Sequence, residues 1–167
     1  PVLNQEFAQI GLAPPSPYHQ IDLYKTVKKR FRLPSNKLDY VARHFGVEGK
    51  VQHKGMALWH GCMAGNIKDW KEMEKYNRQD VAMLEPLYER LLPWIQDHPN
   101  FALYVNNLDD PVCPNCGSKH IHKKGTEHTK TQSYVRFRCV DCGTPLRGRF
   151  TTIPRDKSHN ILTQSKL

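Results

Sequence analysis

Hydrophobic residues recur at spacings of three and four over most of the first hundred residues, which is the pattern of amphipathic helices. The longest such run follows Gly65, where Asn66 can cap a helix, and extends to about Gln96. Pro86 lies inside this run, so we expect a kink or a break near Glu85. The line of residues predicted to face inward on this helix is Met73, Tyr76, Asp80, Leu84, Leu87, Leu91 and Ile95.

Shorter elements precede the long helix. The same period predicts helices over residues 2–10, 23–31, 38–45 and 56–63, with glycines and prolines between several of them. Residues 18–23 read instead as a short buried strand that leads into the second helix. The first hundred residues are therefore predicted to be mainly helical, with one strand.

The period changes to two in the last third of the chain, as expected for strands. Val135 and Phe137 alternate with polar or aromatic residues, and residues 146–150 repeat this alternation. One face of the predicted sheet would thus carry five cationic or aromatic side chains. They are Tyr134, Arg136, Arg138, Arg147 and Arg149.

Composition divides the chain near residue 100. Residues 97–100 should end the long helix, and residues 106–111 read as a short linker. We therefore expect two domains, residues 1–104 and residues 105–167.

Four of the five cysteines form two C-x-x-C pairs separated by 22 residues, and each pair is followed by glycine. This spacing is typical of a structural zinc site, in which four thiolates surround one ion. A redox dithiol or an iron–sulfur centre are the alternatives. The predicted zinc ligands are Cys113, Cys116, Cys139 and Cys142. The remaining Cys62 is expected to be a small core residue, and His120, His122 and His128 are expected to be solvated loop residues.

The charge of the chain favours a polyanionic partner. Lys and Arg outnumber Asp and Glu by 25 to 16, for a formal net charge of +9. Residues 1–98 carry +3 of this charge and the shorter stretch 99–167 carries +6. Nucleic acid is the expected partner and a membrane is not, because no long apolar run or basic anchor helix is present. The arginine-bearing sheet face is the predicted contact surface, and a solvated polar face is the alternative. Free cysteines in a metal pattern indicate a reducing compartment such as the cytoplasm.

Tyr76 and Asp80 stand four residues apart on the long helix, which places them on one face. The run 73–92 resembles the third motif of the DEDD-type 3′–5′ exonucleases of the ribonuclease H-like superfamily, in the subclass that carries Tyr. Residues 21–47, with the pattern K-L-x-x-V-A-x-x-F-G, and residues 1–12 are similar to helices of the same family. The resemblance thus covers about residues 1–98.

That resemblance implies a site in which four carboxylates hold two Mg²⁺ or Mn²⁺ ions for in-line hydrolysis of a phosphodiester. Asp80 would be the fourth carboxylate, and Tyr76 would orient the attacking water. The first motif of the family, D-x-E, and its second Asp are absent from this sequence. Asp22 is a weak candidate for one of the missing carboxylate ligands, since the resemblance implies that the matching position usually belongs to the end of a strand. The acidic residues Asp39, Asp69 and Glu72 are expected to be surface charges.

The expected fold is α/β: a truncated ribonuclease H-like exonuclease fold, mostly its helices, followed by a small antiparallel zinc ribbon. The expected function is metal-dependent 3′–5′ exonuclease action, with this chain a fragment that is inactive alone. DNA is favoured over RNA as substrate, with other replication or repair proteins as further partners by analogy. The alternative is a non-enzymatic adaptor, in which the zinc ribbon binds nucleic acid or protein and the helices serve as scaffold.

Overall fold

The computed structural model describes residues 2–47, 54–105 and 109–165. Within these ranges the chain forms a helical part followed by one antiparallel sheet. The helices are α1 (Val2–Gln9), α2 (Leu23–Arg30), α3 (Leu38–His44), α4 (Met56–Met63), α5 (Ile67–Leu91) and α6 (Arg155–Ser158). Two 3-10 turns span Leu92–Trp94 and Phe101–Tyr104. The strands are β1 (Ile121–His128), β2 (Ser133–Cys139) and β3 (Pro145–Thr151).

The four short helices predicted from the hydrophobic period are confirmed, with bounds within one residue of those expected. The strand predicted over residues 18–23 is wrong. Residues 18–22 are irregular, and Tyr18 is exposed rather than buried. No neighbouring strand pairs with this segment in the described part of the chain. Asp22 instead caps α2, because its carboxylate accepts a hydrogen bond from the backbone N–H of Lys25 at 3.0 Å.

Helix α5 begins as predicted, since the side chain of Asn66 accepts a hydrogen bond from the N–H of Lys68. The helix continues through Pro86, so of the kink or break expected near Glu85 the break is excluded. Met83 and Leu87, on either side of this proline, are both buried, and their packing opposes the local loss of a helical hydrogen bond. The helix ends at Leu91, about five residues earlier than predicted, where the 3-10 turn containing Pro93 begins. No described helix has the length and apolarity that a membrane span requires.

Two clusters of buried side chains hold the helices together. In the larger, Val27 of α2 and Val41 of α3 pack on Leu87 and Leu91 of α5. In the smaller, Leu58 and Cys62 of α4 contact Met73 of α5, which confirms Cys62 as a core residue. The long helix therefore joins both clusters, and each shorter helix of these clusters uses it as a surface to pack against.

The three strands lie in the order β1-β2-β3, with both neighbouring pairs antiparallel. The predicted alternation along β2 is confirmed, because Arg136 and Arg138 are exposed while Val135 and Phe137 are partly covered. His122 and His128 were expected in a loop, but they belong to β1. The loop prediction failed because the spacer between the cysteine pairs forms a long hairpin, which leaves those two imidazoles on an exposed strand.

The cysteine-bearing segment, residues 111–151, is named the cysteine module, and it packs against the end of α5. Asn115, which lies inside the first C-x-x-C pair, is buried and donates from Nδ2 to the carbonyl of Leu92 at 3.0 Å. The N–H of Phe101 donates to the carbonyl of Pro114 at 2.8 Å. These hydrogen bonds join the first cysteine turn to the chain on both sides of residue 98, and thus fix the module to the helical part.

Replacing Leu87 by Ala should lower the free energy of unfolding by about 2–5 kcal/mol, because the side chain is fully buried where α2, α3 and α5 meet. The same change at Leu84, which is 41% exposed one turn away, should cost less than about 1 kcal/mol. Urea titration followed by circular dichroism at 222 nm measures both. Equal losses at the two positions would contradict this assignment of the core.

Candidate metal centre and carboxylate helix

The four cysteines come together in one cluster. The Sγ atoms of Cys113 and Cys142 lie 3.7 Å apart, those of Cys116 and Cys139 lie 3.6 Å apart, and all four fall within 4.8 Å of one another. A tetrahedral zinc site with Zn–S bonds of about 2.3 Å requires sulfur–sulfur distances of roughly 3.8 Å. The cluster therefore fits a metal ion such as zinc, and all five cysteines of the chain are free thiols.

The two C-x-x-C segments fold into matching turns. In the first, the N–H of Gly117 donates to the carbonyl of Cys113, and in the second the N–H of Gly143 donates to that of Cys139. Both glycines have positive φ values, 75° and 76°, which glycine adopts at little cost. The same backbone bond thus closes each turn, and each turn directs two sulfurs toward one point.

The thiols differ in acidity because their surroundings differ. Burial raises the pKa of Cys113 and of Cys116. Burial also acts to raise the pKa of Cys139, but hydrogen bonds from the backbone of Cys142 and from neighbouring thiols outweigh it and lower the pKa to about 7. At neutral pH the metal must therefore displace protons from buried thiols, so metal affinity should fall as the pH falls.

His120 lies beside the cysteine cluster but does not belong to it. Its Nδ1 lies 3.0 Å from Oδ1 of Asp141, so the imidazole bridges the end of the first cysteine turn to the second. Hydrogen bonds from Ser118 and His120 lower the pKa of Asp141. The pair supports the two turns from outside the sulfur cluster. Together with Asn115 it is a part of the site that spacing alone did not reveal.

Tyr76 and Asp80 lie one turn apart on α5, and both are half-buried. The ring of Tyr76 packs against the cluster of Leu58, Cys62 and Met73. One carboxylate oxygen of Asp80, Oδ1, is shielded from solvent. Among the described residues the four cysteines are the one group of three or more His, Cys, Asp or Glu side chains close enough to share an ion, and Asp80 does not belong to it.

Asp69 was expected to be a surface charge, and that expectation was wrong. Its side chain is only 13% exposed, because α4 approaches α5 so closely at Gly61 that a β-carbon there would overlap the Asp69 carboxylate. Lys54 bridges Glu72 and Asp69 at 3.0 and 3.4 Å, and its hydrogen bonds to these two carboxylates raise its pKa. The two acids thus share one cation, and Lys54, Asp69 and Glu72 form an ion-pair group at the α4–α5 junction.

Three arginines share one face of the sheet, which we name the cationic face: Arg136, Arg138 and Arg147. Arg136 lies directly opposite Arg147 across the β2–β3 pair. Like charges in this arrangement destabilise a sheet unless an anion or an acidic side chain offsets them. Glu127 of β1 contacts Arg147 at 3.3 Å, and within the described part of the chain no acidic side chain forms an ion pair with Arg136. The face therefore retains unneutralised positive charge.

Each arginine of the cationic face is held in place. Arg136 donates from Nε to the carbonyl of Lys124, and Arg138 donates from Nε to that of Gly143. The guanidinium of Arg147 lies over the ring of Tyr134, 4.5 Å from its centroid. Tyr134 therefore supports an arginine, and the guanidinium of Arg147 covers one face of its ring. Arg149 is exposed beside Phe150, 5.8 Å from the centroid of that ring.

Removing the metal should unfold the sheet while leaving the helices. Beyond residue 100, the buried hydrophobic positions among the described residues are Cys113 and Cys139, so little apolar burial remains to hold the strands. Structural zinc in small modules contributes about 10–16 kcal/mol of apparent binding free energy. We expect one zinc per chain by elemental analysis, and loss of amide protection in β1–β3 after chelation.

The serine variant of Cys62 is the matched control for that measurement, because this cysteine lies in the helical core, away from the cluster. It should retain zinc, whereas Cys139→Ser should lose it. Strands that stay protected from hydrogen exchange in metal-free protein would contradict a structural role for the ion.

Comparison with known proteins gives one match. The model of the RNase_H_2 family, described as RNase_H superfamily, matches residues 1–92. This range contains α1 to α5, including Tyr76 and Asp80, and ends where the 3-10 turn begins. Neither a curated protein nor a solved structure matches the chain. Because the match extends over more than half of the 167 residues, the chain belongs to the RNase_H_2 family of the RNase_H superfamily.

Proposed function

We propose that this chain is part of a metal-dependent 3′–5′ exonuclease that hydrolyses the phosphodiester backbone of nucleic acid. The observation that carries the proposal is the position of Tyr76 and Asp80. They lie one turn apart on a half-buried face of α5, inside the range that matches the RNase_H_2 family. Carboxylate oxygens are the ligands that Mg²⁺ prefers in proteins that transfer or cleave phosphate groups. A carboxylate held on a rigid helix is therefore suited to hold a catalytic metal ion.

The described residues do not form a complete site for Mg²⁺ or Mn²⁺, because Asp80 does not belong to any group of acidic side chains close enough to share an ion. A two-metal site needs several carboxylates. We propose that Asp80 supplies one of them, that Tyr76 positions the water that attacks, and that the others come from a D-x-E motif and an Asp outside this sequence. Residues 1–104 would then be the C-terminal part of the nuclease domain.

Residues 105–167 would form a zinc ribbon that holds the substrate. The cationic face presents anchored guanidinium groups to solvent, which suits phosphate groups in any sequence. Asn115 fixes the cysteine module to Leu92, at the end of the helix that carries Asp80. The cationic face and the proposed metal ligand Asp80 are therefore connected through this hydrogen bond. We propose DNA as the substrate and a reducing compartment such as the cytoplasm as the setting, since five free thiols persist there.

The second candidate is a non-enzymatic adaptor that binds nucleic acid or protein through its ribbon. One observation favours it: the cysteine cluster is complete among the described residues, whereas the acidic site is not. In this case the helices would serve as scaffold, and Asp80 would be a structural carboxylate.

The 167-residue chain alone should not trim nucleic acid in the presence of Mg²⁺, because one carboxylate does not assemble a two-metal site. In a protein that also supplies the remaining acidic residues, Asp80→Asn should lower kcat by at least roughly 100-fold with a smaller effect on KM. Release of nucleotides from a labelled 3′ end measures both. Robust trimming by the 167-residue chain would show that the carboxylates are assigned wrongly.

Asp22→Asn is the matched control for that substitution. Asn caps a helix about as well as Asp, so the start of α2 is preserved while one negative charge is removed. Activity should stay within about twofold of the parent. If this variant is inactive and Asp80→Asn is active, Asp22 is the ligand and the assignment of Asp80 fails.

Replacing Arg136 and Arg147 by Gln should weaken nucleic-acid binding and flatten its salt dependence. Each lost phosphate contact reduces the slope of log K against log salt by about 0.9 for duplex DNA, so the pair should reduce it by about 2. Arg78→Gln is the control, because Arg78 is exposed on α5 and paired with Glu74. An unchanged slope in the double variant would show that the cationic face does not contact phosphates.

A further inference from the structure

A groove runs between the apolar face of the sheet and residues 93–96, which follow the long helix. It encloses about 890 Å³, within the range of sites that hold a small organic group. Its floor contains Phe137 and Leu146, which are cross-strand partners on the face opposite the arginines. Trp94 and Phe150 also line it. The groove and the cationic face thus lie on the two sides of the same edge strand, β3.

Phe150 is the most exposed aromatic side chain of the groove, with 80% of its surface accessible. Its position follows from an irregularity in the sheet. Arg136 pairs with Arg147 and Tyr134 pairs with Thr151, so two residues of advance along β2 match four along β3. The extra residues form a bulge, and bulges re-aim side chains. At Gly148 a β-carbon would lie 3.3 Å from the carbonyl oxygen of Val135, so a larger residue would fit poorly.

Trp94, the second exposed aromatic residue that lines the groove, is held by its neighbours. Its ring packs on Phe31, with 5.5 Å between centroids, and its carbonyl accepts a hydrogen bond from Nε of Arg30 at 3.4 Å. The side chain is nevertheless 43% exposed. Exposure of the Trp94 and Phe150 rings to water costs free energy. A flat apolar ligand that stacked on them would remove this apolar surface from water.

The charge around the groove favours a ligand with both apolar and anionic parts. Arg30, Arg147 and Arg149 line it together with Asp109 and Asp110, which leaves a small positive balance. Arg147 belongs to the cationic face and Arg149 lies beside Phe150, whereas Phe137 and Leu146 are apolar. A nucleotide matches this division, because its base is flat and uncharged and its phosphate is an anion.

We propose that the groove receives unpaired bases of single-stranded nucleic acid, with Phe150 and Trp94 as stacking surfaces, while the phosphates follow the arginines across β3. The inference rests on the proposed function and specifies its substrate class. Paired bases present only their edges, so a duplex would reach the cationic face but not these rings. Neither aromatic residue belongs to the sites inferred from the sequence.

The test compares a ten-nucleotide oligothymidylate with a duplex of the same length, by fluorescence anisotropy on the zinc-loaded chain. Phe150→Ala should weaken binding of the single strand by roughly 5- to 150-fold, the loss expected for one stacked base. Binding of the duplex should change by less than about twofold. Phe150→Tyr should restore single-strand affinity, and Phe150→Leu should not, because Leu keeps apolar area without a π face.

Tyr104→Ala is the matched control, since Tyr104 is an aromatic side chain that is 77% exposed and does not line the groove. It should leave both affinities unchanged. Trp94 offers an independent readout: oligothymidylate should quench tryptophan emission, and Trp94→Phe should abolish most of that quenching although Trp59 and Trp70 remain.

The outcomes separate this inference from the proposed function. If Phe150→Ala leaves single-strand affinity unchanged while the Arg136 and Arg147 variant loses it, the groove is not a base site, whereas the cationic face remains a phosphate site. The groove would then be a surface for another protein. If the parent chain binds neither oligonucleotide, the nucleic-acid role proposed for the whole module is wrong. Equal losses for single strand and duplex in Phe150→Ala would also overturn the stacking inference.

Discussion

Convergence of four sulfur atoms at one point is the constraint on which the C-terminal part of this protein depends. The strands of the cysteine module bury little apolar surface, and among the described residues beyond 100 the buried hydrophobic positions are two of the cysteines themselves. An ion held by these four cysteines would take the place of a hydrophobic core. The turns that aim the sulfurs, the His120–Asp141 contact across them and the hairpin between them all serve that one geometry.

The first cysteine turn also connects the module to the helical part. Asn115 belongs to the first cysteine turn, and its amide donates to the carbonyl of Leu92, where α5 gives way to a 3-10 turn. Helix α5 in turn carries the core contacts of α2, α3 and α4. A displacement of the sulfurs would thus reach the helical part through one buried side chain. This hydrogen bond connects the module that carries the cationic face to the helix that carries Asp80.

The family match favours a nuclease, whereas the described carboxylates do not form a complete catalytic site. The chain belongs to the RNase_H_2 family over residues 1–92, and this range includes Asp80 and Tyr76. Nevertheless, no acidic cluster surrounds Asp80 among the described residues. Asp69 and Glu72, on the same helix, instead share an ion pair with Lys54. The nuclease function proposed for this protein therefore needs groups that the sequence does not contain.

The sequence by itself determined the local features of the protein. The spacing of apolar residues located α1 to α5, and Asn66 marked the start of the long helix, because both depend on neighbours within a few residues. The cysteine spacing identified the cluster that fits a metal ion, because ligand geometry is fixed. The tertiary structure decided what depends on distant contacts. Among the described residues, 18–22 form no strand because no partner lies beside them, and packing of Met83 and Leu87 carries α5 through Pro86. The burial of Asp69 against Gly61, the Asn115–Leu92 bond and the bulge that exposes Phe150 likewise join residues that the sequence keeps apart, so no local pattern encodes them.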